Sequence, residues 1–286
     1  MSGMCSRYII TRNIFHYYRR QDFVVTSSFV PYLSSKQIHS NSDSAIPVKL
    51  AYVSYESMDG NKNASKQPII IMHGLFGSKT NWNLLSKTIH RDTDRKVITV
   101  DARNHGDSPH SSDMTYSHMA QDIVQLMNDL GFQKSILIGH SMGGSTMMTS
   151  PQLMEMEKIF KAMRTVNLEG IATLTKARTS IRDQLASAIK SLPLRQFLVM
   201  NLVEADIGKY KWRVNLPVLE QNFASQIAVF PNVGSKVYNG PTLFIGGSNS
   251  DYIRVEDHNK IKKLFPSAGF TYINGANHWV HADKPT

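Results

Sequence analysis

The chain has 286 residues, of which 41% are apolar and 19% charged, with 17 Gly and 11 Pro. This composition excludes disordered, collagen-like and fibrous classes and predicts a globular protein with one large domain. The formal net charge of +10 is compatible with peripheral contact with an anionic membrane. The basic residues are scattered and form no run interleaved with aromatic residues, so nucleic-acid binding is not expected. The sequence has no apolar run of about 18 residues that would predict a membrane-spanning helix.

The first 44 residues predict a leader that is not part of the fold. Basic residues outnumber the two acidic ones, Asp22 and Asp43, and serine is abundant. A basic, serine-rich, acid-poor segment is typical of a mitochondrial transit peptide, with an ordinary disordered tail as the alternative. The single cysteine, Cys5, lies in this leader, so neither a disulfide framework nor a Cys-ligated metal site is expected. The folded domain is therefore predicted to span residues 45–286.

Strands and helices alternate in the first part of this domain. Residues 48–55 are rich in β-formers, and three short apolar runs follow at 69–72, 97–100 and 136–138. Between these runs, apolar residues recur at spacings of three and four, as in amphipathic helices. Strands that alternate with helices predict a mostly parallel sheet flanked by helices.

The pattern changes over residues 150–230, where helix signals dominate. Ser150 and Pro151 are suited to begin a helix, and apolar residues continue at helical spacing beyond them. Strand signals resume at 242–245 and 270–273, with a short helix predicted at 255–264 between them. The fold class is therefore predicted as α/β with a helical lid inserted at 150–230.

The residues Gly139-His140-Ser141-Met142-Gly143 form a G-x-S-x-G motif directly after a predicted strand. In a nucleophile elbow, the glycines allow a sharp turn from strand to helix, so that the serine hydroxyl stands clear of the sheet. The motif continues into Gly144 to Met148, which predict the start of a helix. Ser141 is therefore the candidate nucleophile, while a serine that only caps a helix remains the alternative.

A serine nucleophile needs a base and an acid, which follow it in the chain order Ser, acid, His. His278 comes just after the last predicted strand and is the candidate base, with His281 less favoured. Asp251 follows the predicted strand at 242–245 and is the candidate acid, although a simple turn residue is the alternative. Asp101 also ends a strand but precedes Ser141, against the expected order.

The oxyanion of an acyl-transfer intermediate needs backbone N–H donors. The segment His73-Gly74-Leu75-Phe76-Gly77 follows the first apolar strand, where such a loop is expected. The predicted donors are the N–H groups of Met142 and Leu75, with Phe76 as an alternative to Leu75. A phosphate-binding loop is disfavoured because Lys79 follows Ser78 and not glycine.

Three segments together resemble the α/β-hydrolase superfamily: the loop at 73–78, the segment Asp101-Ala102-Arg103-Asn104-His105-Gly106-Asp107-Ser108, and the elbow at 139–144. Segments 201–204, 212–216 and 240–244 are similar to a mitochondrial member of that superfamily. The resemblance covers about residues 48–286. It implies a serine hydrolase of the mitochondrial matrix that needs no cofactor and cleaves carboxylic esters, such as acylglycerol-like lipids.

The sequence departs from the superfamily pattern in two places. Thr149 leads almost at once to Pro151 and the lid, so a central strand and a family carboxylate are expected to be missing. After His278 the closing helix of the family is also expected to be missing. Asp251 would then have to act as the acid by itself. The departures leave a second hypothesis, a catalytically impaired isoform that binds a ligand or a protein partner.

Overall fold

A computed structural model of the chain describes residues 24–27 (backbone only), 46–57, 66–144, 153–228 and 237–284. Its strands are β1 (Val24–Ser27), β2 (Tyr52–Tyr55), β3 (Ile69–Met72), β4 (Val97–Val100), β5 (Ile136–His140), β6 (Leu202–Asp206), β7 (Lys209–Trp212), β8 (Thr242–Gly247) and β9 (Ala268–Ile273). Its helices are α1 (Asn83–Thr93), α2 (Tyr116–Asp129), α3 (Leu153–Thr165), α4 (Leu174–Gln184), α5 (Leu192–Val199), α6 (Leu216–Asn222), α7 (His258–Leu264) and α8 (Val280–Asp283).

Seven strands form one sheet in the order β2-β4-β3-β5-β1-β8-β9. Only β2 is antiparallel to its neighbour, and the other pairs are parallel. Every residue of β3 and β4 is buried, as expected of parallel strands covered on both faces. On β3, Ile70 packs with the lid side of the core, whereas Ile69 and Ile71 pack with Trp82 and Ile89 on the opposite side. The predicted α/β fold with a mostly parallel sheet is therefore confirmed.

Helix α2 illustrates how local sequence sets the elements. The Thr115 side chain accepts a hydrogen bond from the His118 N–H and caps the first turn, and Gly131 follows the helix with a φ of +70°. Met119, Ile123 and Leu126 are buried at helical spacing and attach this face to the core. The apolar periodicity predicted this helix.

Strand β1 lies inside the segment predicted to be a leader. Its Val25 pairs with Ile138 on β5 and with Leu243 on β8, both in parallel register. In sheet order this is the position between β5 and the last two strands, where the superfamily resemblance predicted a missing strand. The gap is thus filled by a strand from the amino-terminal part of the chain. That residues 1–44 serve as a transit peptide stays a prediction.

The lid is not wholly helical, in contrast to the prediction for residues 150–230. Strands β6 and β7 form an antiparallel hairpin between α5 and α6. Leu202 and Tyr210 are buried while Glu204 and Lys209 are exposed, so the hairpin alternates polar and apolar residues and lacks the apolar run that marks the central strands. Gly208 supplies the turn with a φ of +69°.

Some predicted features lie outside the described residues: the helix start after Gly144, the cap at Ser150 and Pro151, and the ends of the lid at 150 and 230. Beyond His278 the chain forms the short helix α8. Over the parts of the chain that the structure describes, no helix has the length and hydropathy needed to cross a membrane.

Candidate active site

Ser141 lies at a strained turn directly after β5. The φ of Ser141 is +53°, in the left-handed region, and Ser141 is 8% exposed. A non-glycine residue held there costs on the order of 1 kcal/mol and occurs most often at functional sites. A Cβ at Gly139 would lie 2.3 Å from the Gly143 carbonyl oxygen, and one at Gly143 would lie 2.5 Å from that of Met72. The two glycines are therefore required for the turn, as in a nucleophile elbow.

The loop after β3 lies against Ser141. A Cβ at Gly74 would lie 3.1 Å from the Ser141 Cβ and 2.8 Å from the His140 Nδ1. Backbone that approaches so closely can present N–H groups to an oxyanion formed at Ser141. Among the described residues we find no acceptor for the Leu75 N–H, whereas the Phe76 N–H donates to the His105 Nε2 at 3.2 Å. This geometry favours Leu75 over Phe76 as the donor from this loop, with Met142 on the elbow itself.

Two side chains that the sequence analysis did not select hold this loop. Asn201, from the lid, donates through Nδ2 to the Phe76 carbonyl oxygen at 2.9 Å. Burial lowers the pKa of His105 to about 3, so its Nε2 is free to accept from Phe76. The His105 Nδ1–H in turn donates to the Arg103 carbonyl oxygen at 2.9 Å. Phe76, with a φ of +61°, is thus fixed at both of its backbone polar groups.

Asp101 has a structural role, because its carboxylate connects two segments near the site. Its carboxylate is buried and accepts hydrogen bonds from the Lys79 N–H at 2.7 Å, from the Lys79 ammonium and from the Asp107 N–H at 2.8 Å. These bonds connect the end of β4 to the segment that directly follows the loop after β3 (residues 73–77, called the oxyanion loop below). Asp101 precedes Ser141 in the chain and was not expected to be the triad acid, and in the structure it connects these two segments.

His278 lies beside the elbow in space. The His140 Nε2–H donates to the His278 carbonyl oxygen at 3.1 Å, and the centroids of the two rings are 4.8 Å apart. Burial is the main cause that lowers the pKa of His278 well below its ordinary value of 6.5, and the His140 and His281 rings add to the shift. The imidazole is therefore neutral near pH 7, as a proton acceptor must be.

Asp251 is in the loop that contacts His278, but its carboxylate is not at the imidazole. The next residue, Tyr252, stacks on the His278 ring with centroids 3.6 Å apart and an interplanar angle of 19°. Asp251 itself is exposed, and within the described part of the chain its carboxylate has no hydrogen bond or ion pair. The structure therefore brings the elbow and His278 together, and brings Asp251 into the same neighbourhood without contact.

Aromatic rings from the lid and from the end of the chain form an apolar wall around the site. Phe160 on α3 packs edge-on against Phe76 with centroids 5.3 Å apart. Phe197 on α5 packs at 5.1 Å against Trp279, the neighbour of His278. Phe160 is fully buried and belongs to the core, whereas Phe197 is half-buried and can contact a bound ligand. An apolar wall beside a serine nucleophile suits an acyl chain.

Comparison with known proteins gives concordant matches. Residues 69–286 match the family model described as "Alpha/beta hydrolase family". The chain is 43% identical over 253 residues to the "sn-1-specific diacylglycerol lipase ABHD11" of Xenopus tropicalis, covering 81% of this chain and 78% of that protein. It is 41% identical over 254 residues to the protein of the same name from Mus musculus, covering 82% and 81%.

More distant matches include esterases. The chain is 32% identical over 241 residues to "Esterase YbfF" of Escherichia coli, covering 77% of this chain and 89% of that protein. Among solved structures, a "Marine microorganism esterase" superposes with a TM-score of 0.72 at 31% identity, covering 83% of this chain and 95% of that one.

Proposed function

We propose that this chain, which belongs to the alpha/beta hydrolase family and is a carboxylic ester hydrolase, cleaves acylglycerol-like lipid esters with Ser141 as the nucleophile. The observation that carries the proposal is the strained turn at Ser141, whose neighbour His140 is hydrogen-bonded to the carbonyl of His278. This bond supports the proposal because it joins the turn that carries Ser141 to the segment that carries His278.

In the proposed reaction, the Ser141 hydroxyl attacks the ester carbonyl while the neutral His278 imidazole takes its proton. The N–H groups of Leu75 and Met142 stabilise the negative charge on the tetrahedral oxygen. His278 then gives the proton to the leaving alcohol, which departs and leaves an acyl-Ser141 ester. Water attacks this ester with His278 again as base, and the carboxylic acid and free Ser141 result. Asp251 is proposed as the acid that orients His278.

The lipid character of the substrate is argued from the wall of rings and from the relatives. Phe197 and Trp279 are next to His278 and offer an apolar surface to an acyl chain. The two vertebrate relatives are named as diacylglycerol lipases. We therefore propose that a diacylglycerol is hydrolysed faster than a water-soluble short-chain ester at equal concentration.

The test is hydrolysis of diacylglycerol in mixed micelles by the full chain and its variants. We expect Ser141→Ala and His278→Ala to lower kcat by at least about a thousandfold. The matched control Ser111→Ala, outside the site, is expected to keep the wild-type rate. If Ser141→Ala hydrolyses the lipid as fast as the wild type, the proposal is wrong.

The role of Asp251 has its own test. If its carboxylate orients His278, Asp251→Asn should lower kcat by more than about a hundredfold, because the imidazole tautomer is no longer fixed. Asp129→Asn, at the exposed end of α2, is the matched control. A loss of less than threefold for Asp251→Asn would remove Asp251 from the mechanism and leave a Ser141–His278 pair.

A second function is supported by the position of Asp251. Because its carboxylate has no contact with the imidazole within the described residues, we also consider an impaired isoform that binds a lipid or a protein partner. This alternative predicts that the folded wild-type chain and Ser141→Ala bind a non-hydrolysable diacylglycerol ether equally tightly. It also predicts that the wild-type chain hydrolyses neither diacylglycerol nor a short-chain ester at a measurable rate.

The proposed location is the mitochondrial matrix, from the composition of the first 44 residues. Amino-terminal sequencing of the protein recovered from mitochondria tests this location, and it also shows whether β1 is retained. Peripheral contact with anionic membranes is proposed from the net charge of +10 and from Ile207, which is 94% exposed at the hairpin turn beside Lys209. Flotation with anionic phosphatidylglycerol vesicles but not with neutral phosphatidylcholine vesicles is the expected result.

A further inference from the structure

Five aromatic rings form a continuous stack through the site. Tyr252 stacks on His278 at 3.6 Å, and His278 packs against His140 at 4.8 Å. His140 packs edge-on against His281 at 4.6 Å, and His281 stacks on Trp82 at 4.3 Å. The rings come from the loop after β8, the end of the chain, the end of β5 and the turn after the oxyanion loop. The stack therefore connects the segments that carry the proposed nucleophile, base and oxyanion donors.

His140 has a polar as well as an apolar role in this stack. A backbone carbonyl only accepts, so the bond of 3.1 Å to the His278 oxygen requires a proton on the His140 Nε2. Burial lowers the pKa of His140 to about 4, and at neutral pH the ring is uncharged with that proton fixed in place. The ring is 4% exposed, so water does not compete for the bond.

The bond from His140 is important because His140 is the residue next to Ser141 in the chain. His140 precedes Ser141 directly, and a bond from its ring to the His278 backbone fixes the base relative to the nucleophile. Within the described residues no carboxylate contacts the His278 ring, whose flat face lies against Tyr252. Ring packing and the His140 bond therefore contribute to the orientation of the base, in addition to any effect of the Asp251 carboxylate.

We propose that His140 is a positioning residue for His278: its Nε2–H holds the His278 backbone, and Tyr252 holds the ring face. The inference rests on the proposed function and goes beyond it, because it assigns roles to two residues outside the nucleophile, base and acid.

The other end of the stack provides support by packing alone. Trp82 Nε1 and His281 Nδ1 are buried, and in the described structure neither has a hydrogen-bond partner. The two rings are nearly parallel, with an interplanar angle of 13°. They therefore act as a surface on which the edge of His140 rests, and the directional contact to His278 comes from His140.

Two substitutions of His140 separate the hydrogen bond from ring packing. His140→Phe keeps an aromatic ring and loses the donor, and we expect kcat for the lipid ester to fall about tenfold with KM changed less than twofold. His140→Gln keeps a donor of similar reach and is expected to recover kcat to within about threefold of wild type. The matched control is His110→Phe, which removes another histidine-to-carbonyl bond of 3.0 Å, to Arg213 in the lid. It is expected to leave both constants unchanged.

A double-substitution cycle distinguishes positioning from general destabilisation. In a His278→Ala chain the base is absent, so adding His140→Phe should change the residual kcat less than twofold. A structural defect would lower the residual rate by the same tenfold in both backgrounds, and that result would overturn the inference.

Hydrogen exchange provides a readout that does not depend on catalysis. Exchange of backbone amides over residues 274–281, measured by mass spectrometry on the full chain, should be about tenfold faster in His140→Phe and near wild type in His140→Gln and His110→Phe. Unchanged exchange in His140→Phe overturns the inference even if the wild type proves inactive. If the wild type shows no Ser141-dependent hydrolysis but the variants show the expected exchange rates, only the proposed function is contradicted.

Discussion

Stability should fall steeply as the pH is lowered from 7.5 to 5.5, because buried histidines are neutral in the folded chain. Burial lowers the pKa of His105 to about 3 and that of His140 to about 4, against 6.5 for an exposed ring. Below pH 6.5 the unfolded chain therefore binds protons that the folded chain does not, so lowering the pH favours unfolding. The loss begins near pH 6.5 and ends when the folded rings themselves are protonated, near pH 4 and 3.

The magnitude follows from the proton uptake of the unfolded state. At pH 5.5, one unit below the ordinary value, each ring that stays neutral in the folded state reduces the free energy of unfolding by about 1.4 kcal/mol. His105 and His140, which are 0% and 4% exposed, together account for about 3 kcal/mol. This is a large part of the total of about 5 to 15 kcal/mol for a folded domain.

Denaturation by urea at pH 7.5 and 5.5, with linear extrapolation to zero urea, measures the loss. The sharper comparison is His140→Gln, which has no titrating ring at this position. Its loss between the two pH values should be smaller than that of wild type by about 1.4 kcal/mol. An equal loss in the two chains would refute the assignment of a buried neutral imidazole to His140.

Three further predictions concern the fold around the site. Asp122→Asn should lower the free energy of unfolding by about 3 to 5 kcal/mol, because the fully buried Arg103 loses its two bonds of 2.7 Å to a carboxylate. The control is Asp92→Asn, which removes the exposed ion pair with Arg91 and should leave the melting temperature at the wild-type value. Gly74→Ala should lower kcat by up to about a hundredfold, because the new Cβ would lie 3.1 Å from the Ser141 Cβ and displace the loop. A wild-type kcat in this variant would show that catalysis does not depend on the close contact between this loop and Ser141. Val25→Pro and Thr26→Pro should each abolish the cooperative melting transition, since either removes a backbone donor from a strand paired on both sides. Thr26→Val, which keeps the backbone donor, is the control, and melting like wild type in both proline variants would exclude β1 from the sheet.

The middle of the sheet was largely predictable because strands such as β3 and β4 are buried along their whole length. Apolar runs without alternation marked β3, β4 and β5, and helical spacing marked α1 and α2. The hairpin β6–β7 was missed because its outward residues are polar and its strands are short. Strand β1 was missed because the basic, serine-rich composition around it favoured a leader, although Val24, Val25 and Thr26 are β-branched; its place between β5 and β8 is seen only in the assembled sheet.

At the site, local sequence marked the residues that a motif or a strand end defines. The glycines around Ser141 and the position of His278 after β9 are of this kind. The supporting residues were missed because their partners are distant in sequence: His140 bonds to a residue 138 positions away, and Asn201 to one 125 positions away. Such contacts follow from the assembled fold, and a single sequence without its fold does not indicate them.

The most direct test of the account is covalent labelling of the folded chain with a fluorophosphonate, followed by mapping of the adduct by mass spectrometry. The account predicts one adduct, on the Ser141 hydroxyl, that forms much more slowly in His278→Ala and is absent in Ser141→Ala. An adduct that forms equally in Ser141→Ala, or a folded wild-type chain that stays unlabelled, would contradict the claim that Ser141 is an activated nucleophile.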